Sequence, residues 1–311
     1  MPWNDLGLIF RVDRLSEWAH SHAYVPTALD LGDHIRVYAA FWDANKHGRL
    51  GYIDVDGDDP TKVLAFSADP ILSDAEPERF DSDGVTPLSI VRDGSALRLY
   101  YAGWRRLRDQ EARYTLFTGL AVSRNGERFE RYQVDPVLGP TKANSFVRTG
   151  GFFMRDAGRW RCWFADFVEN VRINDAATPS YCLATLDSHD GIHWPDQAQE
   201  VFPVIPGHVF GYGRGAVWKS KGRYKGLFSV RYLDGGYRSI NYSESPDGYR
   251  WAPLSDRGLA FTPRDSCDEQ SELAFPTLVL RDDRMFMFYN GDNFGRDGLR
   301  AAVWTRDTPR A

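Results

Sequence analysis

Three cysteines, Cys162, Cys182 and Cys267, are all that 311 residues contain, too few and too irregularly spaced for a disulfide framework or a zinc site. They read as reduced thiols. Concentrated positive charge is missing as well. Lys and Arg number 38 against 43 Asp and Glu, a formal charge of −5, and no basic run or face stands out, which argues against nucleic acid as a partner. Apolar runs are short, none approaching the roughly 18 residues of a membrane-spanning helix, so no membrane association is expected. The N-terminal MPWNDLGLIFRVDR has neither the basic start nor the long apolar stretch of a signal peptide, and the expected location is the cytoplasm. No nucleophile elbow, phosphate-binding loop or dinucleotide fingerprint occurs, and no cofactor is expected. His20 and His22 share a strand face, yet a His-x-His pair without a third ligand does not make a metal site, and no metal is expected. A helical apolar period is absent throughout.

Aromatic residues, by contrast, are plentiful: 10 Trp, 15 Tyr and 19 Phe. They suit β-structure, where most would fill the core, and also sugar-binding surfaces, where a ring face stacks on a sugar face. Short alternating strands recur with a period of roughly 60 residues, the signature of a radial β-repeat. Each unit opens with an apolar strand (VPTALDL, VTPLSIV, RTGGFFM, RGAVWK, AFPTLVL) and continues with a second of recurring pattern (IRVYAAFWD, LRLYYAGW, RWRCWFADF, RYKGLFSVRY, RMFMFYNGD). A third strand of small and apolar residues and a less regular fourth follow. The expected fold is an all-β, single-domain, five-bladed propeller with blades at about 20–75, 83–140, 145–205, 211–263 and 270–307. The fifth unit stops after its third strand, and LGLIFRV, residues 6–12, is expected to supply the fourth and close the ring.

Between third and fourth strands, Ser188-His-Asp190-Gly191-Ile-His-Trp194 and Ser245-Pro-Asp247-Gly248-Tyr-Arg-Trp251 match position for position, and Ser123-Arg-Asn125-Gly126-Glu-Arg-Phe129 is a softer copy. Asp-Gly or Asn-Gly supplies the positive φ of a tight turn, and the short polar side chains tie back to it. These resemble the Asp-box turns of sialidase-like propellers and read as structural.

Together with Ser21-His22-x-x-Val25-Pro26-Thr27, Phe80-Asp81-x-Asp83-Gly84-Val85-x-Pro87, Tyr101-Ala-Gly103-Trp104 and Tyr289-Asn290-Gly291-Asp-Asn-Phe294-Gly295, they give the chain a resemblance to the five-bladed glycoside hydrolases of families 43 and 32. Within that group it looks most similar to members associated with bacterial polysaccharide gene clusters. The resemblance spans nearly the whole chain. It implies carbohydrate chemistry through three carboxylates: an Asp base on blade one, an Asp on blade two and a Glu acid on blade three. Here the first position is His22, the second is Asp83, and the third-blade strand Asn144–Gly150 offers no Glu. The family triad does not carry over intact.

Three stretches place an ionisable residue four positions before a proline: His22 before Pro26, Asp83 before Pro87 and Glu272 before Pro276. Strand residues two apart share a face, so the three are expected to converge on one axial cavity as the catalytic group. Two carboxylates in one cleft drive their pKa values apart, as glycosidic cleavage requires. The bland alternative is that they cap strand ends or pair with arginines. Arg148 and Arg214, in the opening strands of blades three and four, are expected to bind an anionic group, or else to neutralise the carboxylates across the channel. Trp42 and Trp104 are candidate stacking platforms and Asn290 a further contact. The expected activity is glycosidase-like, on a small, anionic or activated sugar. Lyase, isomerase or transferase chemistry in the same cavity, or sugar binding without chemistry, stays open, as does the oligomeric state.

Overall fold

The structure is a computed structural model describing residues 3–107, 114–173, 176–233, 236–268 and 270–305. Five antiparallel units follow one another along the chain. Strand β1 (Asn4–Arg11) comes first and is used last. The first unit is β2 (Ser21–Asp30), β3 (His34–Trp42), β4 (Gly48–Asp56) and the short β5 (Val63–Phe66). The second is β6 (Gly84–Asp93), β7 (Ala96–Arg106), β8 (Tyr114–Ser123) and β9 (Glu130–Arg131). The third is β10 (Val147–Asp156), β11 (Arg159–Ile173), β12 (Ala176–Ser188) and β13 (Gln199–Phe202). The fourth has β14 (Val209–Ser220), β15 (Arg223–Tyr232) and β16 (Gly236–Ser245), its outer edge met only by isolated bridges at Ser255 and Phe261. The fifth is β17 (Ala274–Arg281), β18 (Arg284–Asn290) and β19 (Gly298–Thr305).

The opening strands β2, β6, β10, β14 and β17 neighbour one another in that order, and β17 returns to β2. This is a closed β-propeller. Closure depends on β1, which pairs antiparallel with β19 from Asn4 opposite Val303 to Arg11 opposite Gly298. Residues 306 and 307 of the expected fifth unit lie outside the described residues. Side chains reinforce the seam. The Tyr289 hydroxyl donates to Asp5 Oδ1 at 2.7 Å, and Trp3 Nε1 donates to the Leu259 carbonyl at 2.9 Å. Removing residues 1–11 leaves β19 as an unpaired edge next to a buried core. Such a truncation should therefore lower the melting temperature by many degrees, where loss of a free tail would leave it unchanged; a thermal melt of the two forms decides.

Asp-box turns lock blades two, three and four each to the one before. Asp247 Oδ1 accepts the amides of Tyr249 and Arg250 at 2.9 and 2.8 Å, and these bonds, the Arg250 amide above all, hold its carboxyl well below the usual range. Gly126, Gly191 and Gly248 take φ values of 74°, 73° and 82°, which glycine alone adopts without cost. Their carbonyls then accept from the preceding blade: Gly126 from the Tyr38 hydroxyl at 2.9 Å, Gly191 from Tyr100 at 2.8 Å and Gly248 from Trp163 Nε1 at 2.8 Å. The expectation that these turns are structural matches what they do.

All five opening strands bulge where they pass the axis. Register shifts fall between Tyr24 and Thr27, Pro87 and Ser89, Thr149 and Phe152, Gly213 and Ala216, and Ala274 and Thr277. A bulge frees an amide from the ladder, and neighbouring side chains recover several. Asn290 Oδ1 accepts from Val25 N, Ser229 Oγ from Phe275 N and Ser89 Oγ from Phe153 N, each at 2.8 Å. Val25 and Phe275 themselves sit at φ 51° and 54°, a conformation that costs a non-glycine residue about 1–2 kcal/mol.

Candidate active site

Because the opening strands bulge inward together, they enclose a cavity of about 310 Å³ lined from all five. One wall is a ring cluster. Phe275 meets Tyr237 at 4.8 Å and Tyr24 at 5.2 Å between centroids, and Phe294 caps both tyrosines at about 6 Å. Trp42, Trp104 and Leu116 also line the cavity, with Trp42 in edge contact with Tyr24 at 6.3 Å. The charged lining consists of Arg214 and Arg231, and no carboxylate lines the cavity among the described residues.

Arg214 is 1 % exposed. Its Nη1 donates to the Pro276 carbonyl at 2.5 Å, and Nη2 donates to Phe275 at 2.8 Å and to Pro26. The guanidinium therefore ties β14 to β17 and β2 through backbone carbonyls. No counter-ion faces it among the described residues, and burial pulls its pKa down to about 9. Arg231, near the end of β15, donates from Nη1 to the Tyr181 hydroxyl at 3.0 Å, with its guanidinium carbon 4.8 Å from the Phe210 ring centre. Tyr181 and Tyr237 hydroxyls lie 3.5 Å apart.

The three proline-minus-four residues flank this cavity without lining it. Asp83 and Glu272 fall just before their strands, which begin at Gly84 and Ala274, and a register shift between Ser21 and Tyr24 breaks the alternation at His22; lining falls instead to residues near the prolines: Tyr24 and Val25, Thr86 and Leu88, and Phe275. His22 sits at φ 66°, and its ring stacks on Trp42 at 3.9 Å and 21°. Burial first, then the nearby Arg296, lowers its pKa to about 4, so it is neutral at physiological pH, with Nδ1 2.8 Å from Ser21 Oγ. Asp83 is tied to the blade-two edge, accepting the Arg106 amide at 2.7 Å with His47 Nε2 at 3.8 Å. Glu272 is half-buried. Its Oε2 accepts the Asn293 amide at 2.9 Å, next to the lining residue Phe294. Desolvation, helped by Asp292, raises its carboxyl pKa, while the Asn293 amide and Arg231 pull the other way. Glycine is required opposite it: a Cβ on Gly236, at φ 73°, would stand 2.3 Å from Glu272 Oε1. His22 and Glu272 thus meet around Asn293, whose backbone bonds to both, and Asp83 stands with Trp104 at another part of the rim.

Two expected contacts prove to have other partners. The Arg148 side chain turns away from the axis, reaching the Pro195, Asp196 and Gly139 carbonyls at 3.2–3.4 Å and Asp166 at 3.5 Å. Asn290 is fully buried; besides accepting from Val25 it donates to the Ala23 carbonyl at 2.8 Å, so both ends of its amide hold the β2 bulge. Trp42 lines the cavity with His22 stacked on one face of its indole. Trp104 lines it with the Arg106 guanidinium 5.0 Å from its ring.

Arg231 and Asp166 were missed as candidates. Arg231 stands near the end of the second strand of its blade, where Trp42 and Trp104 stand in blades one and two, and that equivalence was the available signal. Asp166 lies beside the lining residue Ala165, and burial raises its carboxyl pKa against the pull of Arg148. The single cluster with metal-binding geometry among the described residues, Asp5, Cys267 and Asp268, lies at the β1 seam and includes neither His20 nor His22. No helix among the described residues is long and apolar enough to cross a membrane.

By fold, the protein is a β-propeller of the glycoside hydrolase kind. A glycoside hydrolase superposes with a TM-score of 0.71 at 13 % identity, covering 99 % of this chain and 93 % of its own. A thermostable family-43 glycoside hydrolase gives 0.63 at 12 % identity, covering 97 % of each chain. A Bombyx mori GH32 β-fructofuranosidase gives 0.60 at 13 %, covering 94 % of this chain and 62 % of its own. The chain belongs to the family of the uncharacterized protein Rv1502 of Mycobacterium tuberculosis (strain ATCC 25618 / H37Rv). The two are 30 % identical over 305 residues, 97 % of this chain and 99 % of that one. No family model matches the chain.

Proposed function

We propose that the protein is a carbohydrate-active enzyme of glycoside hydrolase type, acting on a small, anionic or activated sugar held in the axial cavity. The observation that carries this is the pairing of an aromatic cavity with a half-buried carboxyl at its rim, Glu272, whose raised pKa suits a general acid. Rings in edge and face contact offer flat apolar surfaces to a sugar, while the tyrosine hydroxyls offer polar partners to its oxygens. Asp83 and Asp166 are the carboxylates available for a second role, and neutral His22 can orient a substrate hydroxyl. Solved structures of this fold support a carbohydrate ligand, one of them a GH130-family protein described with β-1,2-mannosidic linkages (TM-score 0.67, 14 % identity, 94 % of this chain and 87 % of its own).

One observation favours a second reading. The cavity lining itself holds tyrosines and arginines in place of carboxylates, a set equally suited to elimination, isomerisation or transfer on a sugar, or to binding alone. A panel of aryl glycosides, aryl uronides and sugar phosphates, assayed with wild type and Asp83→Asn, tests the proposal. Release of the aglycone or of free sugar by wild type supports it, and turnover of the sugar phosphates without hydrolysis favours the second reading.

A further inference from the structure

Among the charged side chains that line the axial cavity, both are arginines, in a chain whose overall formal charge is −5. Neither forms an ion pair among the described residues. Arg214 spends Nη1 and Nη2 on three backbone carbonyls, and its buried Nε has no partner. Arg231 spends Nη1 on Tyr181, is flanked by the Phe210 and Tyr237 rings at 4.8 and 5.7 Å, and its buried Nε likewise has none. Glu272, the acid electrostatically coupled to Arg231, is occupied by the amides of Asn293 and Tyr237. A desolvated guanidinium without a counter-charge is costly, and two in one apolar cavity repel each other. Carbonyl dipoles and phenol oxygens offset part of that cost, and an incoming anion offsets the remainder.

We infer that the cavity is an anion seat: a carboxylate or phosphate group carried by the sugar is held by Nη2 of the Arg231 guanidinium, with the Tyr181 and Tyr237 hydroxyls beside it and the fixed charge of Arg214 behind. This rests on the reading of a sugar ligand given above and narrows it to sugar acids and sugar phosphates. Tyr181 and the rings against Arg231 hold the plane of the guanidinium, and with Nη1 bonded and Nε buried, Nη2 is the group preorganised for a charge-assisted N–H···O bond. Arg214, immobilised by three carbonyls, adds a charge that cannot move away. Recognition then divides, with the aromatic wall taking the sugar face and the arginine side taking the charge.

The test is direct binding, measured by calorimetry with glucuronate, glucose 6-phosphate, inorganic phosphate and glucose on wild type, Arg231→Gln and Arg231→Lys. Wild type is expected to bind at least one of the three anions saturably, and glucose at least ten-fold more weakly. Arg231→Gln should lose 10- to 100-fold in anion affinity with glucose unaffected, and Arg231→Lys, which keeps charge without the guanidinium, should recover part of it. Preference for glucuronate over the phosphates assigns a carboxylate, and the reverse a phosphate. Absence of saturable anion binding by wild type overturns the inference, as does an equal loss for glucose and the anions in Arg231→Gln at unchanged melting temperature. Turnover of a neutral glycoside without anion binding would defeat the seat and leave the enzymatic reading standing; anion binding without turnover would do the opposite.

Discussion

Arg214→Ala is expected to destabilise the propeller by about 2–4 kcal/mol, because the loss of three buried carbonyls' donors outweighs the relief of removing an uncompensated charge. The side chain is 1 % exposed and bonds to the carbonyls of Pro26, Phe275 and Pro276, which belong to two other blades. Truncation would leave those carbonyls without donors in a region too enclosed for bulk water, and would open a cavity beside the bulges of β2 and β17. With each kcal/mol worth roughly 2–4 °C for a large domain, the melting temperature should fall by about 10 °C. Arg214→Lys should fall between, because one ammonium keeps the charge but cannot span carbonyls from two strands at once. Thermal melts of the three forms, with no ligand present, check this. An unchanged melting temperature in Arg214→Ala would mean that the guanidinium serves the ligand alone and that the ring closes without it. The same reasoning separates Arg214 from Arg231. The first has a structural duty that any ligand effect rides upon, whereas the second bonds to a single phenol and can be altered with the fold kept.

The architecture was legible because its signals are local and repeated. Five opening strands, five patterned second strands and three Asp-box turns each state the same unit, and the missing fourth strand of the last unit pointed to LGLIFRV. Positions in the site were less legible, and the reasons are where the strands begin and where they bulge. Strand periodicity assigns a face by parity, and one inserted residue reverses it. His22, Asp83 and Glu272 share a position relative to proline, yet Asp83 and Glu272 precede the first strand residues Gly84 and Ala274, a shift between Ser21 and Tyr24 breaks the alternation at His22, and further shifts between Tyr24 and Thr27 and between Ala274 and Thr277 bring in Val25 and Phe275. No residue type announces these shifts, since Val25 and Phe275 are among the least expected at positive φ. Asn290 misled for a related reason. A buried amide in a Tyr-Asn-Gly stretch reads as a ligand contact, and here it replaces the ladder partners that the β2 bulge gives up. Arg148 stands in the opening strand of its blade and is for that reason expected at the axis, yet the alternation that brings Val147 and Thr149 inward carries it outward.

Glu272→Gln is expected to reduce turnover of a responsive substrate by about 10²–10⁴-fold, the usual contribution of a general acid or base. The amide keeps the shape of the carboxyl and its contact with the Asn293 amide but cannot deliver a proton. The raised pKa fixes the sign of the accompanying stability change. A carboxyl whose pKa is higher in the folded state than in the unfolded one contributes stability that is present below the unfolded pKa and is lost as pH rises through the folded pKa. At neutral pH the ionised Glu272 therefore weighs against the fold, through its partial burial and its proximity to Asp292. Removing the charge should leave the melting temperature unchanged or slightly higher at pH 7, with the difference from wild type shrinking toward acidic pH. Rate should follow the same titration. If the protonated form acts, kcat/KM of wild type declines as pH rises through the elevated pKa, and the residual activity of Glu272→Gln lacks that decline. A purely structural carboxylate predicts the contrary pair, with turnover largely kept and the melting temperature several degrees lower, because the bond to the Asn293 amide would then weaken with nothing relieved. Measuring melting temperature and the pH profile on the same variant distinguishes the two. Full activity with an unaltered profile would remove Glu272 from the chemistry and pass the acid role to Asp166, the other carboxyl whose pKa burial raises beside the cavity.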